Sequence, residues 1–166
     1  ILILSGDVPL ITEKTLTSMI NLDSKCTILV NELDIPNGYG RIKQIESNEN
    51  SIASSNKTNK VKIIEEKDCT EEEKLIKQIN SGIYYFESSS LLKHLPKLEC
   101  SNAQNEYYLT DVVSFYENVK VVKSNNNNEI LGINTPEQLI KLKNLSEFES
   151  ISNKKILIIG GTGSLG

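Results

Sequence analysis

Four short polar segments of this 166-residue chain stand where apolar runs end: Ser5-Gly6-Asp7-Val8-Pro9, Glu65-Glu66-Lys67-Asp68, Asn80-Ser81-Gly82 and Gly132-Ile133-Asn134. Oxygen-bearing side chains at strand ends suit ligand binding, because in open α/β sheets the ligand lies beyond the carboxyl ends of the strands. What is scarce narrows the chemistry further. His94 is the only histidine, so an imidazole base or a histidine-based metal site is not expected. Cys26, Cys69 and Cys100 are odd in number and far apart, which matches neither a disulfide framework nor a zinc pattern. They read as reduced thiols of a cytoplasmic protein.

The elements that must position these segments follow from periodicity and turn chemistry. Residues 1–4 are an apolar run that reads as a buried strand ending in a loop. Thr12 is placed to cap a helix running to about Asp23. Residues 27–33 and 41–45 read as strands separated by the turn cluster Pro36-Asn37-Gly38-Tyr39-Gly40. The Ser-, Asn- and Lys-rich stretch 47–60 is expected to be an exposed, mobile hairpin loop. Beyond a strand at 61–64, Thr70 and Glu73 form a capping box, predicting a helix to about Gln78. Residues 81–86 follow as a strand, then a short helix at 91–95 stopped by Pro96. Helical periodicity over 107–116, a strand at 119–122 and an exposed loop at 125–128 come next. Thr135-Pro136-Glu137-Gln138 opens a last helix, to about Phe148. Alternating strands and helices predict an α/β fold with a sheet flanked by helices.

Bulk properties exclude several classes. Hydrophobic content of 38% and charged content of 24% are those of an ordinary globular protein, and the net charge of −4 offers nucleic acid no basic footprint. No apolar run approaches the roughly 18–20 residues that span a bilayer. No sequence pattern specifies an oligomeric state.

Six segments, in order, carry a resemblance: residues 4–11, Pro36-Asn37-Gly38-Tyr39-Gly40-Arg41-Ile42, residues 64–68, Ile79-Asn80-Ser81-Gly82-Ile83, the tract from Asn102 to Asp111, and Gly132-Ile133-Asn134. Together they resemble the uridyltransferase domain of bacterial N-acetylglucosamine-1-phosphate uridyltransferases over about residues 1–142. The resemblance implies a nucleotidyltransferase-type, Rossmann-like mixed sheet and a Mg²⁺-dependent reaction of UTP with an N-acetylhexosamine 1-phosphate. Asp7 matches the family's magnesium-binding aspartate and Asn134 the asparagine that completes the site. Gly40 matches a glycine lying against the sugar nucleotide, Glu65 the carboxylate that holds sugar hydroxyls, and Asn80 the amide near the N-acetyl sugar. Ser5 and Gly6 complete the substrate-binding set, and no protein nucleophile is implied. Ser5 departs from a tyrosine of the family, Ser81 from a threonine, Asn105 from a glycine and Leu131 from an acidic residue. The family's glycine-rich loop and lysine, which cradle the triphosphate, have no counterpart here. The domain over residues 1–149 is therefore expected to be incomplete at its N-terminus, and inactive as a fragment.

The tail reads Lys-Lys-Ile-Leu-Ile-Ile-Gly-Gly-Thr-Gly-Ser-Leu-Gly from Lys154 to Gly166. A strand running into glycines fits the opening of a Rossmann domain. It resembles the start of an extended short-chain dehydrogenase/reductase, with Gly160, Gly163 and Gly166 expected to bind NAD(P) and residues 150–166 forming a linker and a second domain's beginning. The alternative function on that basis is a nucleotide-sugar epimerase or dehydratase, with the first domain serving as a sugar-nucleotide-binding module.

Overall fold

The computed structural model describes residues 1–45, 58–133 and 135–143. Most of the expected 47–60 loop, the end of the last helix and the glycine tail lie outside the described residues. Six strands form one sheet: β1 (Leu2–Ile3), β2 (Cys26–Glu32), β3 (Arg41–Ile45), β4 (Lys60–Ile64), β5 (Gln78–Phe86) and β6 (Lys120–Lys123). Their order is β4-β3-β5-β2-β6, with β1 also on β5. The sheet is mixed: β2 and β6 run parallel, and the other pairs antiparallel.

Central β5 organises the rest. One edge pairs with β2 from Cys26↔Phe86 to Glu32↔Gln78. The other edge is shared, β1 taking Tyr84 and Tyr85 and β3 taking Ile79. Both run antiparallel to β5, so the carboxyl end of β1 faces the amino end of β3 across the middle of β5. Neither strand can extend without meeting the other. The chain therefore leaves the sheet after Ser5 and re-enters it at Gly40, opening a cleft between the two.

Alternation along the strands sends side chains to both faces. Cys26, Ile28, Val30, Ile63, Tyr84 and Phe86 pack with Val112, Val113 and Tyr116 on one face, covered by helix α2 (Ser88–His94). Leu29, Ile79 and Ile83 pack with Val8, Met19 and Ile130 on the other, under helix α1 (Glu13–Ile20). Burying an aliphatic side chain of this kind contributes about 1.5–3 kcal/mol, so both layers are needed to hold the sheet.

Local signals specify the kind of element at several points, and elsewhere promise more helix than forms. Thr12 caps α1, accepting from Thr15 N at 3.3 Å. The Thr70–Glu73 capping box forms in both directions, at 3.0 and 3.2 Å. It opens only a 3₁₀ turn, Glu73–Leu75, because Gln78 is already the first residue of β5. α2 ends at His94, as Pro96 cannot supply the next helical N–H, and a 3₁₀ turn, Leu95–Lys97, follows it. The helical period over 107–116 becomes a 3₁₀ segment, Leu109–Phe115. Thr135 and Gln138 box the start of helix α3 (Pro136–Lys143) as expected, at 3.0 and 3.3 Å. No helix of the described residues is long and apolar enough to cross a membrane.

Candidate active site

A bulge in β5 forms the floor of the cleft. Register slips between Ile28↔Tyr84 and Val30↔Asn80, leaving Ser81-Gly82-Ile83 opposite Leu29 alone. Gly82 takes φ +75°, a conformation that glycine adopts without a Cβ penalty. Two side chains hold the bulge. Ser81 Oγ donates to Leu29 O at 2.8 Å and accepts from Ile83 N at 3.3 Å. Asn80 Oδ1 accepts from Gly82 N at 3.2 Å, while its Nδ2 donates to Tyr84 Oη at 2.6 Å. Asn80 is thus committed at both ends of its amide to shaping the floor.

On one wall, β1 delivers Ser5 directly over the bulge: a Cβ added at Gly82 would stand 2.8 Å from Ser5 Oγ. The chain then turns through Gly6 and Asp7, with Val8 N donating to Ser5 O at 3.3 Å. Ile133 N donates to Asp7 O at 2.9 Å, bringing the segment before Asn134 onto this loop. Asn134 itself lies outside the described residues. The Asp7 carboxylate is half-buried and makes no hydrogen bond or ion pair among the described residues. Among the same residues no three His, Cys, Asp or Glu side chains cluster to hold a metal ion. A single uncommitted carboxylate fits Mg²⁺, which commonly takes one or two protein carboxylates and completes its octahedron with phosphates and water.

The opposite wall is built on β3 and β4. Asn80 N donates to Gly40 O at 2.9 Å, fixing Gly40 against the floor. A Cβ at Gly40 would lie 3.3 Å from Ile63 Cγ2, 3.4 Å from Glu65 Oε2 and 3.5 Å from Ile64 O. With no side chain at Gly40, that residue places nothing against the half-buried Glu65 carboxylate. Thr110 Oγ1 donates to Glu65 Oε1 at 2.9 Å and sets its rotamer. Burial pushes the Glu65 carboxyl above the ordinary glutamate value of 4.5; the Thr110 hydrogen bond opposes this, and Asp111 and Asp68 reinforce it.

The structure thus brings Ser5, Asn80, Gly40 and Glu65 around one floor, with Gly6 and Asp7 on its rim. Gly160, Gly163 and Gly166 lie outside the described residues. Three contributors escaped the sequence reading. Thr110 stands within the tract from Asn102 to Asp111, but its partner Glu65 is distant along the chain. Arg41 looks like a solvated strand-end charge yet is 1% exposed; its guanidinium donates to Tyr39 O and lies 3.6 Å from Glu66 Oε1, bracing the Pro36–Gly40 turn. Glu129, directly after the loop expected at 125–128, is 6% exposed. Asn105, standing where the resembling family has glycine, takes φ +53°, a region that asparagine tolerates better than most residues.

The bifunctional protein GlmU of Thermotoga sp. (strain RQ2) is 44% identical over 146 residues, which takes in 86% of this chain. These proteins are its homologues. The GlmU proteins of Alkaliphilus oremlandii and Fervidobacterium nodosum are 42% and 38% identical, over 94% and 98% of this chain. The last match leaves out fewer residues than the glycine tail contains, so part of that tail aligns with a GlmU protein. The chain spans about a third of the length of these relatives: 30%, 32% and 34%. No family model matches it. Among solved structures, UDP-glucose pyrophosphorylase from Leishmania major (V402W mutant) superposes with a TM-score of 0.58 at 12% identity. That likeness covers 85% of this chain and 36% of the other. It extends to the fold, the mixed α/β sheet flanked by helices.

Proposed function

We propose that this chain carries the sugar- and metal-binding part of a nucleotidyltransferase that joins UTP and N-acetylglucosamine 1-phosphate into UDP-N-acetylglucosamine and pyrophosphate. The observation that carries the reading is the Gly40–Glu65 pair: a residue with no side chain stands beside a half-buried carboxylate. A sugar ring set against the Gly40 backbone would offer its hydroxyls to Glu65, which Thr110 holds in place. Asn80 keeps the floor in shape, and Ser5 and Gly6 line the approach from β1. The likeness to GlmU proteins supports the same assignment.

In the reaction a phosphate oxygen of the sugar phosphate attacks the α-phosphorus of UTP. The phosphoanhydride bond to pyrophosphate breaks as the new one forms, so no protein nucleophile is required. Alignment of the two phosphates is the protein's task. Asp7, with Asn134 as the second proposed ligand, would hold Mg²⁺, which neutralises phosphate charge when bound. Residues 1–149 are proposed as one domain of this enzyme, working in the cytoplasm, where UTP is made. The expected NAD(P) site rests on glycine spacing alone, and part of the same tail aligns with a transferase relative; the proposal makes no use of it.

Pyrophosphate release from UTP, Mg²⁺ and a panel of N-acetylhexosamine 1-phosphates, by the enzyme that includes this chain, tests the proposal. Turnover that disappears in Asp7→Asn supports it. A folded enzyme inert with every pair refutes it.

A further inference from the structure

Glu129 is a buried carboxylate with no basic partner: no salt bridge among the described residues includes it. Three hydroxyls surround it. Thr12 Oγ1 donates to Oε1 at 2.5 Å, Thr15 Oγ1 donates to Oε2 at 2.7 Å, and Ser124 Oγ lies 2.9 Å from Oε2. Ser124 shares its single proton with Asn126 O at 2.8 Å. Thr12 and Thr15 belong to the cap and first turn of α1, where a negative charge meets the positive end of the helix. A buried carboxylate is unfavourable unless hydrogen bonds replace its water, so this arrangement holds its three contributing segments together.

The consequence lies a few residues downstream. Glu129 sits in the 3₁₀ turn Asn127–Ile130. Ile130 is fully buried against the core that includes Val8 and Met19, and Ile133 N then reaches Asp7 O. Between the Glu129 anchor and the Asp7 contact there is one turn of chain, pinned at both ends. The next residue in sequence is Asn134.

We infer that Glu129 is a positioning residue for the metal side of the site, locking the 129–133 segment to α1 so that it meets the Asp7 loop in one register. The inference rests on the proposed metal role of Asp7. It assigns Glu129 no contact with substrate or metal.

The test uses Mn²⁺ with UDP-N-acetylglucosamine as probe, read by electron paramagnetic resonance, beside amide hydrogen exchange at Ile133. Supporting partners of metal ligands are worth about 10–100-fold in metal affinity, so Glu129→Ala should weaken Mn²⁺ binding by about tenfold. Ile133 exchange should accelerate by about the same factor, since the loss of a buried acceptor frees the segment it anchors, while exchange of the Ile28 and Ile83 amides stays unchanged. Glu129→Gln should restore most of both, because its amide oxygen still accepts from one hydroxyl. Should Glu129→Ala fail to fold, Thr15→Val removes one donor and should shift both readouts by a smaller factor in the same direction. Wild-type Mn²⁺ affinity in Glu129→Ala, or in Thr15→Val where that variant stands in, overturns the inference when Asp7→Asn has lost binding. Wild-type affinity in Asp7→Asn instead overturns the metal role of Asp7, and this inference with it.

Discussion

The amide of Ile133 donates to the carbonyl of Asp7 at 2.9 Å, tying the loop that leaves β1 to the segment that precedes the last helix. That bond joins the two segments for which the resemblance implies, and we propose, metal binding. The Asp7 carbonyl is engaged while the Asp7 carboxylate is left without a partner among the described residues. Asp7→Asn should therefore leave the melting temperature within a degree or two, since substitutions away from packing and networks cost about 0.5 kcal/mol or less. Divalent-metal affinity should fall steeply. Calorimetric melting run beside a metal titration separates the two effects.

Gly40→Ala places a methyl 3.4 Å from Glu65 Oε2 and 3.3 Å from Ile63 Cγ2. Overpacking at such distances costs about 1–3 kcal/mol, a modest change by urea denaturation. The loss in UDP-N-acetylglucosamine affinity should be larger than that cost accounts for, because the new methyl stands between sugar and carboxylate. Equal affinity in Gly40→Ala and wild type would remove Gly40 from the site.

Gly82→Ala combines a backbone penalty with a collision: φ is +75°, and the new Cβ meets Ser5 Oγ at 2.8 Å. Strained positions of this kind cost about 1–3 kcal/mol. Ser5→Gly in the same chain removes both Ser5 atoms from the contact and should recover the steric share but not the backbone share. A double-mutant cycle by chemical denaturation measures the coupling.

The Glu65 carboxyl is held above its ordinary 4.5 chiefly by burial. The folded state therefore keeps a proton that the unfolded chain has released, and stability falls as pH rises from 4.5 through the folded value. Above that window the cost is constant. Glu65→Gln should flatten this part of the stability curve, measured as urea midpoint against pH from 4.5 to neutrality. A slope unchanged in Glu65→Gln assigns it to another group.

Cys26 is fully buried, and burial pushes its thiol up to about 12, whereas Cys100 is exposed. Because the thiolate is the reactive form, a disulfide reagent should modify Cys100 first in the native protein and Cys26 only on unfolding. Mass spectrometry of the labelled peptides against time reads the order.

Much of this was legible in the residues. Strands are marked by β-branched runs, and the run at 41–45 coincides with β3; the caps at Thr12, Thr70 and Thr135 announce themselves by spacing. Legibility ended where tertiary pairing overrides local signal. The Thr70–Glu73 box promises a helix, but pairing of Gln78 with Glu32 claims the chain for β5 first. Glu129 is invisible in sequence because two of its three hydroxyl partners, Thr12 and Thr15, come from the cap and first turn of α1, far away along the chain. Arg41 is buried where its guanidinium meets the Tyr39 carbonyl and the Glu66 carboxylate, two groups from separate turns, which no periodicity encodes. For the site, the resemblance named Ser5, Gly6, Asp7, Gly40, Glu65 and Asn80, and the fold gathers them around one cleft. It could not foretell that Asn80 has both ends of its amide engaged in the β5 bulge, since the bulge follows from the slipped register between β2 and β5.

The most direct measurement is calorimetric titration of this chain with UDP-N-acetylglucosamine, with and without Mg²⁺, in wild type, Asp7→Asn and Glu65→Gln. The expected result is saturable binding that strengthens with Mg²⁺, loses that increment in Asp7→Asn and weakens in Glu65→Gln with or without metal. Absence of binding to folded wild-type protein, or binding indifferent to all three changes, contradicts the assignment.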